Sequence, residues 1–231
     1  MKFFCVLVAF FFCSCGIPTY QYLEPPIITQ EGVFLDAKFR NTTENDPKYF
    51  RGYRLFYKLY YRPGVCDSEI KQIKNSSASY MIRSKKYRML AEANNDFNSE
   101  HDKINKEIAI VRIKKDDANK NISFIVEFDE SGDKTFNSKV VREDNGDVFY
   151  LCRYIIQNRK EENETDKCAR SFKIDDFTKD DADIPKKLNG KNKLYMALFV
   201  VSFGWDNNYS PLYSEPKFLG KFEFDVKPSL E

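Results

Sequence analysis

Runs in which apolar and polar residues alternate recur along this chain, and they constrain its fold more than any other feature. Successive side chains of a strand point to opposite faces, so period-two alternation marks a half-buried β-strand. Val33, Leu35, Ala37 and Phe39 alternate with Phe34, Asp36, Lys38 and Arg40. Tyr53, Leu55, Tyr57, Leu59 and Tyr61 alternate with Arg54, Phe56, Lys58 and Tyr60. Ile122, Phe124, Val126 and Phe128 form a third set, and Val148, Tyr150, Cys152, Tyr154 and Ile156 a fourth. Phe218, Phe222, Phe224 and Val226 oppose Lys217, Lys221, Glu223 and Asp225 near the end. Leu194 to Phe203 is apolar on both faces, which predicts a central strand covered on both sides.

Turn chemistry separates these runs at Glu130-Ser131-Gly132-Asp133, Asp144-Asn145-Gly146-Asp147 and Leu188-Asn189-Gly190. Asn-Gly between alternating runs is a strong hairpin signal, because both residues tolerate positive φ. Charged residues make up 31% of the chain, but aromatic residues make up 16%, enough large side chains to build a core. The expectation is a folded, mainly β chain, and many strands at this spacing suggest a β-sandwich. Residues 67–105 interrupt the pattern. Ser68 fits the cap of a short helix carrying Ile70 and Ile73, ended by Ser76-Ser77, and Tyr80 to Ala93 fits either helix or strand.

Two stretches resemble the fibronectin type III fold, a member of the immunoglobulin-like sandwiches. Phe50-Arg51-Gly52-Tyr53-Arg54-Leu55-Phe56-Tyr57-Lys58 is similar to its third strand. Tyr195 to Phe203, with Ser210-Pro211 and Ser214-Glu215-Pro216, is similar to its sixth strand and the approach to the last. The resemblance places Tyr195 where that family fastens a corner of the sandwich. It implies an elaborated sandwich over residues 26–231, with residues 66–170 as a large insertion of extra strands and a short helix, and a binding or scaffolding role. Two small domains are the alternative.

The amino terminus runs Met1, Lys2 and then without charge from Phe3 to Cys13, the pattern of an export signal. Roughly twenty apolar residues are needed to span a bilayer, and this run is too short. Phe12-Cys13-Ser14-Cys15-Gly16 resembles the lipobox of bacterial lipoproteins, in a relaxed form familiar among spirochaetes. That resemblance implies a signal peptide over residues 1–14, lipid on Cys15 and a tether over residues 15–25 holding the protein to a membrane of the bacterial cell envelope. It leaves open the outer membrane's periplasmic face or the cell surface. The alternative is an ordinary secretory signal cut near Ser14 or Gly16, which would free the protein and bring five sequons into play, at Asn41, Asn75, Asn121, Asn163 and Asn208.

Loss of residues 1–14 would leave 36 of the 37 basic residues against 35 acidic ones. A balance so close to neutral gives no argument for a nucleic-acid partner. With Cys15 also set aside as the lipid site, Cys66, Cys152 and Cys168 remain, an odd number. Cys152 and Cys168 lie symmetrically about Lys160, and a hairpin there would set them face to face as a possible disulfide; three reduced thiols are the alternative.

Catalytic signals are sparse. His101, the single histidine, sits in the polar stretch Ser99-Glu100-His101-Asp102 with no nucleophile elbow, as a solvated histidine would. Three dispersed cysteines and one histidine form no zinc motif. Asp175, Asp176, Asp180, Asp181 and Asp183 lack the glycine and distal glutamate of the helical calcium loop. No metal, cofactor or catalytic residue is therefore expected. The stretch Gly204 to Tyr213 holds the single tryptophan, and Trp205, Asn207, Asn208, Tyr209 and Tyr213 are the candidate binding residues. The expected role is a non-enzymatic, lipid-anchored module that binds a protein or glycan. A carboxylate-based hydrolase of envelope polymers and a freely secreted binding protein are the alternatives, since glycosidase carboxylates are paired in space and not in sequence.

Overall fold

A computed structural model describes residues 21–33, 36–92, 111–128, 138–156, 167–171, 184–185 and 193–225. They contain twelve strands: β1 (Ile27–Val33), β2 (Asp36–Arg40), β3 (Phe50–Tyr60), β4 (Arg88–Glu92), β5 (Val111–Arg112), β6 (Ser123–Glu127), β7 (Lys139–Arg142), β8 (Val148–Ile156), β9 (Lys167–Ser171), β10 (Lys193–Trp205), β11 (Pro211–Tyr213) and β12 (Lys217–Asp225). The chain is mainly β, as the alternation predicts. The expected sandwich is overturned. Nine of the strands close into a barrel in the order β10-β12-β1-β2-β6-β7-β8-β4-β3, and β3 pairs back onto β10.

The closure has a physical logic. A sandwich leaves each sheet with two unpaired edges, whereas a ring of strands satisfies every ladder on both sides. Here β10 pairs antiparallel with β3 from Tyr195 opposite Tyr60 to Gly204 opposite Phe50. On its other side β10 pairs with β12, and β12 meets β1 in parallel at Gly32 and Gly220. The two strands that resemble fibronectin type III are thus direct neighbours in one wall. Residues 66–170 do not decorate a sandwich, because β4, β6, β7 and β8 complete the ring. Tyr195 lies within β10 opposite Tyr60 and packs on the outer apolar cluster, so the strand runs straight through the expected corner.

The barrel interior is a packed core. Tyr53, Leu55, Tyr57 and Leu59 of β3 point inward with Phe39, Phe124, Val126, Leu194, Met196, Leu198, Val200, Phe222 and Phe224. The outward residues of the same strands build a second layer. Phe56, Tyr60, Ala197, Phe199 and Val201 are covered by α1 (Pro63–Ile73), by the π-helical turn Tyr80–Ser84, and by Tyr87. The expected helix forms, but it starts at Pro63, whose missing N–H is harmless at a first helical position. Cys66, Ile70 and Ile73 are its buried stripe. Tyr80 to Ala93 divides between both readings, a helical turn followed by β4.

Covering both faces of β10 explains its uninterrupted apolar run, as expected of a central strand. Other expectations shift. The run Val33 to Phe39 is not one strand, because β1 ends at Val33 and β2 begins at Asp36. On β8 the inward face carries Leu151 and fully buried Arg153, not the set beginning Val148 and Tyr150. The β8–β9 pair places Cys152 opposite Ser171 and Cys168 opposite Ile155. The two cysteines are offset by three positions, roughly 10 Å of strand, which is beyond disulfide reach. Cys152 is a free thiol, donating to the Ala91 carbonyl at 3.4 Å.

Candidate functional site

One end of the barrel gathers the start of β1, the end of β2, the start of β3 and the end of β10. The segment Gln21–Pro26 reaches the barrel there and is fastened firmly. Leu23 is buried in the core. Glu24 and Asn45 exchange two hydrogen bonds: the Glu24 amide donates to Asn45 Oδ1 at 2.8 Å, and Asn45 Nδ2 donates to the Glu24 carbonyl at 3.1 Å. Ser202 Oγ, on the last inward turn of β10, donates to the same carbonyl at 2.6 Å. The connection from β10 to β11 emerges beside this attachment.

That connection is built around Asp206. Its Oδ1 accepts from the amides of Asn208 at 2.8 Å and Ser210 at 2.7 Å. Its own amide donates to the Ser210 carbonyl at 3.0 Å, and its carbonyl accepts from the Tyr209 amide at 3.2 Å. A carboxylate that caps two amides of its own loop holds the backbone in a tight turn. Tyr209 stands at the tip, 84% exposed, with φ at +58°. That region is sterically disfavoured for any residue bearing a Cβ, by about 1–2 kcal/mol. Asn207 and Asn208 are exposed beside it.

Beneath the loop lies an aromatic base on the outer wall. Phe203 and Trp205 pack edge to face at 5.2 Å, and Tyr213, opposite Phe203 in the β10–β11 pair, tilts against Phe203 at 5.6 Å. The Arg54 guanidinium lies 3.5 Å from the Phe203 ring centroid, and its Nη1 donates to the Tyr213 hydroxyl at 2.6 Å. Arg54 is 5% exposed, so this cation–π contact works in a largely desolvated setting, where such contacts are strongest. The Trp205 amide donates to the Tyr49 carbonyl, and Gly204 admits that close approach, since a Cβ there would stand 2.0 Å from the same oxygen.

The five candidate residues therefore divide in two. Asn207, Asn208 and Tyr209 form the presented surface, while Trp205 and Tyr213 belong to its half-buried base. Sequence reasoning missed Asp206 and Arg54. Asp206 carries a readable signal, an Asp followed by Asn-Asn-Tyr-Ser between two strands, the composition of a side-chain-capped turn. Arg54 carries none, because its stacking partner Phe203 is brought beside it only by the β3–β10 pairing. What the surface offers chemically is two amides and a phenol ring, groups that recognise by hydrogen bonding and by stacking.

Cys15 and the export signal, His101, and the acidic run from Asp175 to Asp183 lie outside the described residues. Of the sequons, Asn41 is 1% exposed, with Nδ2 donating to the carbonyls of Ala118 at 2.7 Å and Lys120 at 2.8 Å; its amide has no room for a glycan. No helix among the described residues is long and apolar enough to cross a membrane. The chain matches no family model, no curated protein and no solved structure.

Proposed function

We propose that this protein is exported, anchored to a membrane of the bacterial envelope by lipid on Cys15, and acts as a non-enzymatic module that binds a protein or glycan through the β10–β11 loop. The observation that carries the reading is Tyr209, a large aromatic side chain 84% exposed and held in a disfavoured backbone conformation by Asp206. Strain of this kind persists only where the surrounding structure imposes it, and it concentrates at functional sites. A tyrosine presented on a rigid turn contributes contact area at small entropic cost, as anchors in recognition surfaces do.

Anchoring restricts where a partner is met. Six peptide units separate Cys15 from Gln21, and a fully extended chain of that length spans about 20 Å. The loop shares its end of the barrel with Gln21, so a partner would be encountered close to the membrane. Exposed Glu44, Asp46 and Glu215 at the same end stand beside exposed Lys48 and Arg51, a mixed surface with no basic patch to favour anionic lipid over a protein or glycan.

Two measurements test the reading. Intact mass of the mature protein from its native host is expected to show a chain beginning at Cys15 and carrying acyl mass; an unmodified terminus would remove the anchor. Tyr209→Gly is expected to keep or slightly raise stability, because glycine accepts positive φ, while abolishing retention by envelope components. A variant that folds and retains every interaction of the parent would remove the loop from the binding surface.

A further inference from the structure

At the end of the barrel opposite that loop, β4 begins at Arg88, opposite Tyr57 of β3. Among the described residues no strand continues beside β3 from Lys58 to Tyr60 on that side, which leaves a notch in the wall. The notch opens into a recess of about 250 Å³. Its floor is the inward-facing Leu59 together with Ile184 and Pro185. Lys58, Lys86 and Arg88 contribute to its rim, and among the described residues no carboxylate lines it.

The three cations are not equivalent. Lys58 is committed to the structure, since its Nζ donates to Glu69 Oε1 at 2.7 Å and to the Lys85 carbonyl at 2.8 Å. Lys86 is exposed, is held at φ +59°, and makes no ion pair among the described residues. The Arg88 guanidinium carries five donors in a fixed fork, enough to hold a further acceptor beside an existing partner. An apolar floor under a cationic rim, at the mouth of a barrel, is the arrangement of a small-ligand site.

We propose that this recess binds a small amphiphilic organic anion, with its carboxylate or comparable head group at Lys86 and Arg88 and its alkyl body on Leu59, Ile184 and Pro185. The charge and the apolar surface each select one half of such a ligand. A free inorganic anion would leave the floor hydrated, and a neutral alkyl chain would leave the rim unanswered. The proposal stands apart from the lipid anchor and from the β10–β11 loop, which lies at the other end.

The test is titration of the full chain, with leucine and isoleucine methyls labelled for NMR, by octanoate and by octanol. Octanoate is expected to bind one to one with Kd of about 1 mM, as suits a ligand of so few atoms, and to shift the methyl signals of Leu59 and Ile184. Octanol is expected to bind about fivefold more weakly or not at all. Lys86→Asn keeps a residue that tolerates positive φ and removes the charge; it is expected to weaken octanoate about fivefold, and Arg88→Gln to do the same. The proposal is overturned if octanoate does not saturate, if octanol binds as well, or if both folded variants bind octanoate like the parent.

Discussion

Gly220 lies against Gly32 across the parallel β1–β12 seam, so closely that a Cβ at Gly220 would stand 2.7 Å from the Gly32 Cα and 2.8 Å from its nitrogen. A Cβ at Gly32 would stand 2.4 Å from Cζ of Phe222. The first contact is with backbone, the second with the end of a side chain. The barrel closes here because two residues without side chains meet where the first and last strands run together.

The seam predicts two substitutions that differ in what relieves them. Gly220→Ala is expected to destabilise the protein by about 1–3 kcal/mol, since backbone must shift. Gly32→Ala should cost a similar amount alone but much less in a Phe222→Leu background, where the ring is gone. Urea denaturation of the single and double variants checks this; strict additivity of the Gly32 and Phe222 changes would show that the ring is not the obstacle.

A second prediction concerns the buried pair Tyr53 and Asn41. The Tyr53 hydroxyl donates to Asn41 Oδ1, while Asn41 Nδ2 binds the loop that precedes β6. Tyr53→Phe leaves a buried acceptor short of its donor and is expected to cost about 1–3 kcal/mol. Expression in a glycosylating host is expected to leave Asn41 unmodified, as read by peptide mapping, because a glycan there would require the fold to open.

The thiols give a third. Burial pushes the Cys66 thiol up to about 12, and does the same for Cys152. Only the thiolate reacts readily, so both should resist alkylation at pH 8 in the native protein and react once urea unfolds it. Mapping the labelled peptides distinguishes them from the other cysteines. Rapid native labelling of either would mean that its strand or helix opens locally.

Acid sensitivity gives a fourth. Lys120, at 2.6 Å, and then Arg142, at 3.0 Å, hold the Asp117 carboxyl below its ordinary value of 3.8; Arg142, whose Nη2 donates at 2.7 Å, holds Asp144 below it as well. Carboxyls lowered in the folded state contribute stability above the ordinary value, and that contribution is lost as pH falls through the lowered native values. The stability difference between the parent and Asp117→Asn/Asp144→Asn is therefore expected to stay constant down to about pH 5 and to shrink at lower pH. A difference that grows on acidification would contradict the assignment.

Several elements were legible in the residues alone. The alternation of β3 sorts Tyr53, Leu55, Tyr57 and Leu59 inward, and Asn145-Gly146 makes the β7–β8 turn with Gly146 at φ +74°. Others were hidden for identifiable reasons. On β12 the register shifts between Leu198 and Phe199 of its partner, so Phe218 faces outward while Phe222 faces inward, and no period-two count survives such a bulge. On β8 a buried arginine occupies an inward position that hydropathy assigns to solvent. In the loop, exposure of Asn207, Asn208 and Tyr209 follows from composition, but the stacking of Arg54 on Phe203 depends on a residue 149 positions away in sequence.

The sequence by itself determined that this chain is mainly β, that β10 is covered on both faces, and that Ile70 and Ile73 belong to one buried helical stripe. Those are local matters, decided by which side chains must leave water along a single strand or helix. Tertiary structure alone decided that the sheet closes. An inward and an outward face look the same in a sandwich and in a barrel, and the choice rests on β1 meeting β12 and β3 meeting β10. Those pairings join residues far apart in the chain through backbone hydrogen bonds, which no side-chain pattern records.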